Sequence, residues 1–586
     1  MKLNKSLIYI AVAGMAMATT TSCDDFLDRN RYPIDQQTDQ PEYWNNKVNV
    51  QAQVNDLYDN FTGYGNGTSW VNDFYYRSLS DNQCMRMISG SGMVFSDWDY
   101  QYAQETNSVW DGTYPIIRTC NTIIIKVGNS TLSPVEKADF IAQARLNRGY
   151  QYYDLVRNLG DVPLIETILD TNSPELYGPR TPRNEVMDFV LEDLNYAVAN
   201  ISQQSNKIEF SKDLANAIKA EICLYEAAYA KYHQKDNNRA TKYYNEVVNA
   251  CNALFGKYEV CSNYADLYNS TWAGDAERGF KSLRDNGEVI FMKGYILGTF
   301  GNSITKYTSS NTPIAGMTKD AFDSYLFLDG KPLASTTKDK DDAAVVDAQG
   351  RLSIEAPLSV RDKRLAAVLD PYLGFSGNPY ERSNSDPLTS NTGYTIKKFT
   401  NPGMTYNEAT LDGSGFLCAP IYWMAQIYLA YAEAKAELGT LTDADLNQTI
   451  NKLYARAGLP TQTVASLNAI NDPANNQNVS SLLWEIRRCR RCELMFDCNA
   501  RWWDLIRWHQ LDKMDTTQYP NIAKGANVSR VPASKLTGVM TSDGYIDAAL
   551  TSNGRHTRVY NVREYLQPLG TVQLSLNKQL TQNPGW

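Results

Sequence analysis

Several long segments repeat their apolar residues at helical spacing, and this pattern constrains the fold more than any other feature. The clearest segment begins at Ser133-Pro134-Val135-Glu136, a capping box with proline at the first helical position, and ends at Gly160. A second begins at Thr181-Pro182 and ends near Ile201. Further segments of this kind are residues 215–232, 240–252, 419–439, 442–454 and 480–508. The chain is therefore predicted to be mainly α-helical.

Neighbouring helical segments form pairs with Ala and Tyr at their packing positions, as in 215–232 and 240–252. This pairing is typical of tetratricopeptide-type helix pairs, although the period is irregular. Between about 257 and 415 the chain is instead rich in Gly, Asn, Ser and Thr, with short strand-like runs such as EVIFMKGYI and GYTIKKF. We interpret this stretch as a loop-rich insertion carried by two helical parts, about 46–256 and about 416–586. Such insertions are where binding sites usually lie.

The first residues have the order of a lipoprotein signal peptide. Lys2 and Lys5 precede an uncharged apolar run, which is about half the ~20 residues needed to span a membrane. Small residues then lead to Cys23, so residues 1–22 are predicted to be removed and Cys23 to carry the lipid anchor. Ordinary cleavage, with Cys23 as one more thiol, is the alternative. Residues 23–45 are polar and are predicted to form a lipidated tether.

The charge and the aromatic content narrow the possible ligands. The formal net charge is −9 over 586 residues, and it becomes −11 once Lys2 and Lys5 are removed with the leader. A nucleic-acid partner is therefore not expected, because such proteins present a basic surface. The chain has 38 Tyr and 11 Trp. These rings suit sugars, which have flat apolar faces and polar rims, but large helical proteins also pack Tyr between helices.

Known catalytic and metal-binding patterns are absent from the sequence. Only three histidines occur, and there is no HExxH, GxSxG or phosphate-binding loop. Cys489 and Cys492 are spaced like zinc ligands and Cys498 follows, but no second pair completes four ligands. We predict no metal and no cofactor. Carboxylates are plentiful, so the sequence does not exclude a catalytic pair of carboxylates like that of a glycosidase.

The best ligand-binding candidates lie in the early loops, where aromatic residues without helical spacing alternate with Gly, Asn, Ser and Asp. Rings can stack on the C–H faces of sugars while Asp, Asn and Arg bond the hydroxyls. The candidates in this stretch are Tyr64, Trp70, Asp81, Asn82, Arg86, Trp98 and Tyr100. A second group, in the insertion, is Trp272, Arg382 and Tyr394. The alternative is that these rings only fasten loops to the scaffold.

Five segments together resemble the SusD/RagB family of outer-membrane lipoproteins. They are VWDGTYPIIRTCNTII (109–124), ARLNRGYQYYDLVRNLGDVPLI (144–165), YLAYAEAKAELG (428–439), RRCELMFDCNARWWDLIRW (490–508) and QNPGW (582–586). The acidic pair Asp24-Asp25 after Cys23 is similar to the residues that follow the lipid-carrying cysteine in surface-exposed members. Trp110, Tyr114, Trp502, Trp503 and Trp508 fall on these scaffold motifs and are predicted to belong to the core.

The resemblance implies a SusD-like fold, with four tetratricopeptide-like helix pairs supporting a loop-rich ligand face. It also implies a protein on the outer face of the outer membrane, which binds glycans and delivers them to a SusC-type TonB-dependent transporter without catalysing a reaction. Some members bind peptides, so a peptide-binding lid is one alternative. A lipid-anchored glycoside hydrolase, which needs two carboxylates facing across a cleft, is another.

Overall fold

The computed structural model describes residues 38, 40–65, 67, 80–85, 102–310, 315–497, 499–551 and 558–586. The predictions made for Cys23, Trp70, Arg86, Trp98 and Tyr100 lie outside the described residues. Within the described ranges, no helix combines the length and the apolar character that a membrane crossing requires.

Seven helices build the N-terminal half of the described chain. They are α1 (Pro41–Trp44), α2 (Lys47–Asn55), α3 (Ser108–Gly128), α4 (Pro134–Leu159), α5 (Arg183–Asn200), α6 (Lys212–Tyr229) and α7 (Asn237–Asn252). The predicted capping box of α4 is confirmed: the Ser133 side chain accepts from the Glu136 backbone, and Glu136 accepts from the Ser133 backbone at 3.2 Å. Gly160 ends α4 with φ 74°, a conformation that favours glycine.

Consecutive helices pack against one another, α3 on α4, α4 on α5, α5 on α6 and α6 on α7. The stack continues into the C-terminal half through α13 (Met424–Glu437), which contacts α7, and α17 (Ser481–Glu493), which contacts α13. The predicted mainly α fold with stacked helix pairs is confirmed. The other C-terminal helices are α14 (Asp443–Gln448), α15 (Ile450–Ala457), α16 (Val464–Asn468), α18 (Ala500–Arg507), α19 (Ala548–Thr551) and α20 (Thr571–Leu576).

The insertion contains short helices and small antiparallel sheets, as its composition predicts. Its helices are α8 (Ile304–Ser309), α9 (Lys319–Asp323), α10 (Glu355–Ser359), α11 (Lys363–Val368) and α12 (Tyr406–Thr410). One four-stranded sheet has the order β4 (Val345–Val346), β5 (Leu352–Ser353), β6 (Leu369–Leu373), β7 (Tyr394–Ile396). Outside the insertion, in the C-terminal part, a three-stranded sheet has the order β10 (Thr541–Ser542), β11 (Tyr545–Asp547), β9 (Lys524–Asn527).

Two further strand pairs join distant parts of the chain. In one, β1 (Gln83–Met85) runs antiparallel to β3 (Ala315–Met317). In the other, β2 (Val289–Lys293) pairs with β8 (Ala419–Trp423). This second pairing corrects the prediction of a helix over 419–439. The first five residues of that segment form a strand because β2 supplies hydrogen-bonding partners that no local pattern shows.

Two other predicted helices are each divided. The Thr442–Asp445 capping box is present, but the segment breaks at Thr449 into α14 and α15. The segment 480–508 divides into α17 and α18, and Phe496 and Asn499 in the connection have φ values of 67° and 57°. These left-handed residues reverse the chain, so that α18 packs back against α6.

Buried arginine–carboxylate pairs cross-link the helices. Asp193 of α5 accepts from Arg148 of α4 at 2.8 Å through both carboxylate oxygens, and the same arginine donates to Asn121 of α3. Glu226 of α6 accepts in the same way from Arg183 of α5, at 2.6 and 3.3 Å. A buried charge that keeps its partner is tolerated, whereas removal of one partner is strongly destabilising. These pairs therefore fix the order in which the helices stack.

The packed body begins within the segment that the sequence predicts as a tether. Trp44 in α1 is only 1% exposed. The side chain of Asn45 accepts a hydrogen bond from the Thr131 backbone at 2.7 Å. Residues from about Pro41 onward therefore belong to the folded body.

Candidate ligand-binding site

A hairpin turn after β2 presents apolar side chains to solvent. The chain leaves β2 through Gly294 and Tyr295 and turns back between Ile296 and Phe300, whose backbones exchange hydrogen bonds of 2.9 and 3.0 Å. Gly298 lies in the turn with φ 73°, which glycine adopts at little cost. Ile296 is 52% exposed and Phe300 39%. Exposed apolar residues held in a defined turn are typical of a contact surface.

Three aromatic rings connect this turn to the core. Phe300 stacks on Tyr295, with ring centres 5.4 Å apart and planes 6° apart. Tyr295 in turn stacks on Tyr64 at 6.3 Å, and Tyr64 contacts Phe399 edge-on. The Tyr295 hydroxyl donates to the Gly65 carbonyl at 2.6 Å. The exposed ring of Phe300 therefore stands on a buried, rigid support.

Trp272 forms the opposite wall of a groove of about 330 Å³, which we call the aromatic groove. Its ring packs on Gly294, where an added Cβ would come within 2.5 Å of a ring atom. The guanidinium of Arg284 lies 5.4 Å from the centre of the same ring. Trp272 is thus partly buried, and it shares the groove with Phe300.

Two charged side chains of opposite sign line the aromatic groove. They are Lys293, at the end of β2, and the exposed Asp59. Burial lowers the pKa of Lys293, and the charge of Asp59 acts in the opposite direction. The arrangement combines apolar rings with a few polar groups, as in many ligand sites. It can stack on a flat apolar face while bonding polar groups at its edge.

The early loop predicted to carry the ligand platform is fastened beside this groove. The Gly67 backbone donates to the Gly301 carbonyl at 2.9 Å, and the Ser303 hydroxyl donates to the Gly67 carbonyl at 3.2 Å. The next described stretch, 80–85, is fixed to the C-terminal helices. There Arg501 donates to both carboxylate oxygens of Asp81, at 2.7 and 2.6 Å.

Four of the predicted ligand-binding residues are held by partners within the protein, and their role in ligand binding stays a prediction. Tyr64 and Tyr394 are 0% and 1% exposed, and Tyr394 stacks on Phe322 with ring centres 5.1 Å apart. Asp81 is fully buried by its ion pair with Arg501. Arg382 is paired with Asp370 and also donates to backbone carbonyls. Long-range partners bury these side chains, although their local sequence is typical of loops.

Of the described candidates, Trp272 is the one that lines the aromatic groove. Asn82 is also buried, with its side-chain oxygen accepting from Arg491 at 2.7 Å. Sequence reasoning missed Phe300, Lys293 and Asp59. The signal available for Phe300 was its place four residues after the strand-like run EVIFMKGYI, with Gly298 between them to allow a tight turn.

The scaffold tryptophans divide into two groups. Trp508 is 2% exposed and its indole nitrogen donates to Glu433 at 2.8 Å, as expected for a core residue. Trp502 and Trp503 are partly buried and pack on the core. Trp110 and Tyr114 are also partly buried, but they line a second groove of about 440 Å³ together with Leu176 and Leu576. Their predicted core position is therefore only partly correct.

The cysteines with zinc-like spacing are buried in the scaffold. Cys489 lies against Arg364 and Cys492 against Ser324. Burial raises the pKa of Cys489 to about 12, which keeps the thiol protonated. In the described part of the chain, no group of three or more His, Cys, Asp or Glu side chains is arranged to hold a metal ion.

Comparison with known proteins agrees with the fold and the motifs. The profile of the SusD family matches residues 277–586, which is more than half of the chain. A second profile, described as "Starch-binding associating with outer membrane", matches residues 25–224. The chain belongs to the SusD family, which confirms the resemblance seen in its motifs.

Individual relatives are similar over most of their length. A SusD-like protein of Bacteroides ovatus is 24% identical over 535 residues, covering 86% of this chain and 83% of that protein. A crystal structure of a SusD-like carbohydrate binding protein from Bacteroides fragilis superposes with a TM-score of 0.66 at 20% identity, covering 92% of this chain and all of that chain. Surface glycan-binding protein A from Bacteroides fluxus superposes with a TM-score of 0.59 at 16% identity, covering 92% of this chain and 100% of that chain. These likenesses establish the SusD-like fold.

Proposed function

We propose that this protein binds a glycan at the cell surface and delivers it to a SusC-type TonB-dependent transporter. The observation that carries the proposal is the aromatic groove, where Trp272 and Phe300 present rings beside Lys293 and Asp59. Stacking removes the apolar face of a sugar from water, while the charged groups bond its hydroxyls. Relatives described as carbohydrate-binding or glycan-binding share the fold.

We propose binding rather than hydrolysis because of the number of carboxylates that line the groove. A glycosidase of the usual kind needs two carboxyl groups about 5–10 Å apart on either side of the bond that it cleaves. Among the described residues that line the aromatic groove, Asp59 supplies one carboxylate. Incubation with the bound polysaccharide should therefore release no new reducing ends. Release that disappears in an Asp59→Asn variant would identify a hydrolase instead.

The binding site is tested with a glycan array followed by titration of two tryptophan variants. Trp272→Ala removes a wall of the aromatic groove, whereas Trp110→Ala removes a similarly buried indole from the second groove. One ring is worth on the order of 1–3 kcal/mol, by analogy with bases stacked on aromatic side chains. Trp272→Ala should thus weaken glycan binding by about tenfold or more, and Trp110→Ala should leave it unchanged.

The opposite pattern, in which Trp110→Ala weakens binding and Trp272→Ala does not, would move the site to the second groove. A peptide library on the same array tests the peptide-binding alternative, which predicts peptide hits without glycan hits. Delivery to the transporter is tested separately: the tagged protein should co-purify with a TonB-dependent barrel from detergent-solubilised outer membranes.

A further inference from the structure

Two cavities meet at one lysine on the side of the molecule formed by α17 and α18. The first, of about 280 Å³, lies between α9, α17 and the segment before α17. The second, of about 250 Å³, is lined by Tyr232, Asn476 and Tyr519 among others. Lys513 and Gln477 line both. We call this joint space the Lys513 cavity.

The arginines that line the first cavity have acidic partners. Arg491 pairs with Asp320 at 2.7 Å, and Arg488 pairs with Asp472. The remaining pairs are Arg501 with Asp81 at 2.6 Å and Arg487 with Glu437 at 3.0 Å. These guanidinium groups are therefore already paired with carboxylates of the protein itself.

Lys513 differs from these arginines. Its side chain is only 7% exposed, yet no carboxylate of the described chain lies within 4.0 Å of its ammonium nitrogen. The ammonium instead lies 5.2 Å from the ring centre of Tyr519 and 5.8 Å from that of Trp484. An ammonium taken from water without a counter-charge is costly. Burial accordingly lowers the pKa of Lys513, Arg501 and Arg491 lower it further, and Asp320 and Asp81 oppose the shift.

A second donor faces the same space. The side-chain oxygen of Gln477 accepts from Arg487 at 2.8 Å, which leaves its amide nitrogen free to donate. That nitrogen donates to no residue within the described ranges. The four arginines of the first cavity are compensated by their paired carboxylates, so among the residues that line this cavity the charge that favours an anion is that of Lys513.

We infer that the Lys513 cavity binds an oxyanion, a carboxylate or sulfate group, held by the Lys513 ammonium and the Gln477 amide. Such a group supplies the counter-charge that the protein withholds from this lysine, through charge-assisted hydrogen bonds. The inference concerns a site separate from the aromatic groove and does not depend on the glycan proposal. The group arrives either as free inorganic anion or as the acidic substituent of a sugar.

The test measures the melting temperature and the binding isotherm with sodium sulfate, sodium glucuronate and glucose, at ionic strength matched with sodium chloride. Sulfate or glucuronate should raise the melting temperature by several degrees, because a ligand that binds only the folded state stabilises it. Lys513→Met should remove this rise and weaken binding by about tenfold or more. Lys578→Met changes an exposed lysine that lines neither cavity, and this variant should retain both the rise in melting temperature and the binding.

The probes also separate the two sources. A response to sulfate alone indicates a free-anion site, and a response to glucuronate alone indicates a site for acidic sugars; both support the inference. A response to glucose equal to that for glucuronate, no response to either anion, or an unchanged response in Lys513→Met would overturn it. If Lys513→Met melts well below the wild type in chloride alone, Gln477→Ala replaces it, with the same loss of the anion response expected.

Discussion

Arg507 donates hydrogen bonds to both carboxylate oxygens of Glu433, at 2.6 and 2.7 Å, inside the C-terminal helices. The indole nitrogen of Trp508 donates to the same carboxylate at 2.8 Å. Glu433 lies in the segment YAEA, and Arg507 and Trp508 lie in DLIRW. Two sequence motifs that resemble the family therefore each supply one partner of the same buried ion pair.

Glu433→Gln should lower the free energy of unfolding by about 3–5 kcal/mol, because it leaves the Arg507 guanidinium buried without its charge partner. The measurement is chemical denaturation followed by circular dichroism. Glu192→Gln, which changes an exposed glutamate of α5, is the matched control and should stay within about 0.5 kcal/mol of the wild type. Equal stability of Glu433→Gln and the wild type would show that the pair contributes nothing.

Removal of His233 should reduce the loss of stability in mild acid. Burial lowers the pKa of His233 to about 3, and the ring stacks on Tyr229 with His509 edge-on at 4.5 Å. Because the unfolded chain takes up a proton near pH 6.5 and the folded chain does not, this residue costs stability as pH falls from 6.5 towards 3.

The wild type should therefore lose about 1–2 kcal/mol more than His233→Phe between pH 6.5 and 5. Glu564, whose pKa burial raises to about 7, acts in the opposite direction but equally in both proteins. The difference between the two unfolding curves isolates His233. Parallel curves over this range would contradict the prediction.

Asp81→Asn should destabilise the fold without removing a contact to the ligand. Arg491 and Arg501 hold the pKa of the Asp81 carboxyl well below its usual range despite its burial. Loss of this charge should lower the free energy of unfolding by about 3–5 kcal/mol. Glycan affinity should remain close to that of the wild type at temperatures where the variant is folded. A stable variant with weakened binding would return Asp81 to the ligand site. Asp56→Asn, at an exposed position, is the control.

Gly294→Ala should alter glycan binding without removing any aromatic ring. The new methyl group would come within 2.5 Å of the Trp272 ring, so that the ring must move out of its present position in the groove. We expect a loss of affinity of about tenfold or more, like that of Trp272→Ala. Gly112→Ala is the control, because nothing lies within 4 Å of the added Cβ. Unchanged affinity in Gly294→Ala would mean that the orientation of Trp272 is unimportant for binding.

Cys23→Ala should abolish lipid attachment. The prediction rests on the leader sequence, in which small residues precede Cys23. Metabolic labelling with a fatty acid, followed by fractionation, should show label in the wild-type protein at the outer membrane and none in the variant. Protease treatment of intact cells would then report whether the anchored protein faces outward. Labelled Cys23→Ala protein at the outer membrane would contradict the anchor.

The sequence predicted those elements whose signals are local. The start of α4 is specified by Ser133, Pro134 and Glu136, which lie within one turn, and the structure confirms it. Residues 419–423 have no such local signal, because their strand exists through pairing with β2, more than a hundred residues earlier. The break between α17 and α18 was not predicted either, because Phe496 has a positive φ that its residue type does not favour.

The groove was predictable only in part. Trp272 was identified because it is a large ring in a loop-rich stretch. Tyr64 and Asp81 lie in equally polar sequence, but Tyr295 and Arg501 bury them from more than two hundred positions away. Phe300 was missed because nothing in the sequence shows that Tyr295 would support its ring.

The ion pair between Asp81 and Arg501 also has a consequence for the order in which the protein matures. The two residues are 420 positions apart, so the strand that follows Asp81 is synthesised long before its anchoring helix. Contacts of such separation form late, because a long loop must close before they contribute. A nascent or truncated chain that ends before α18 therefore lacks Arg501, one of the two arginines that neutralise Asp81. Loss of the C-terminal residues of the protein is thus expected to disturb the distant segment around Asp81.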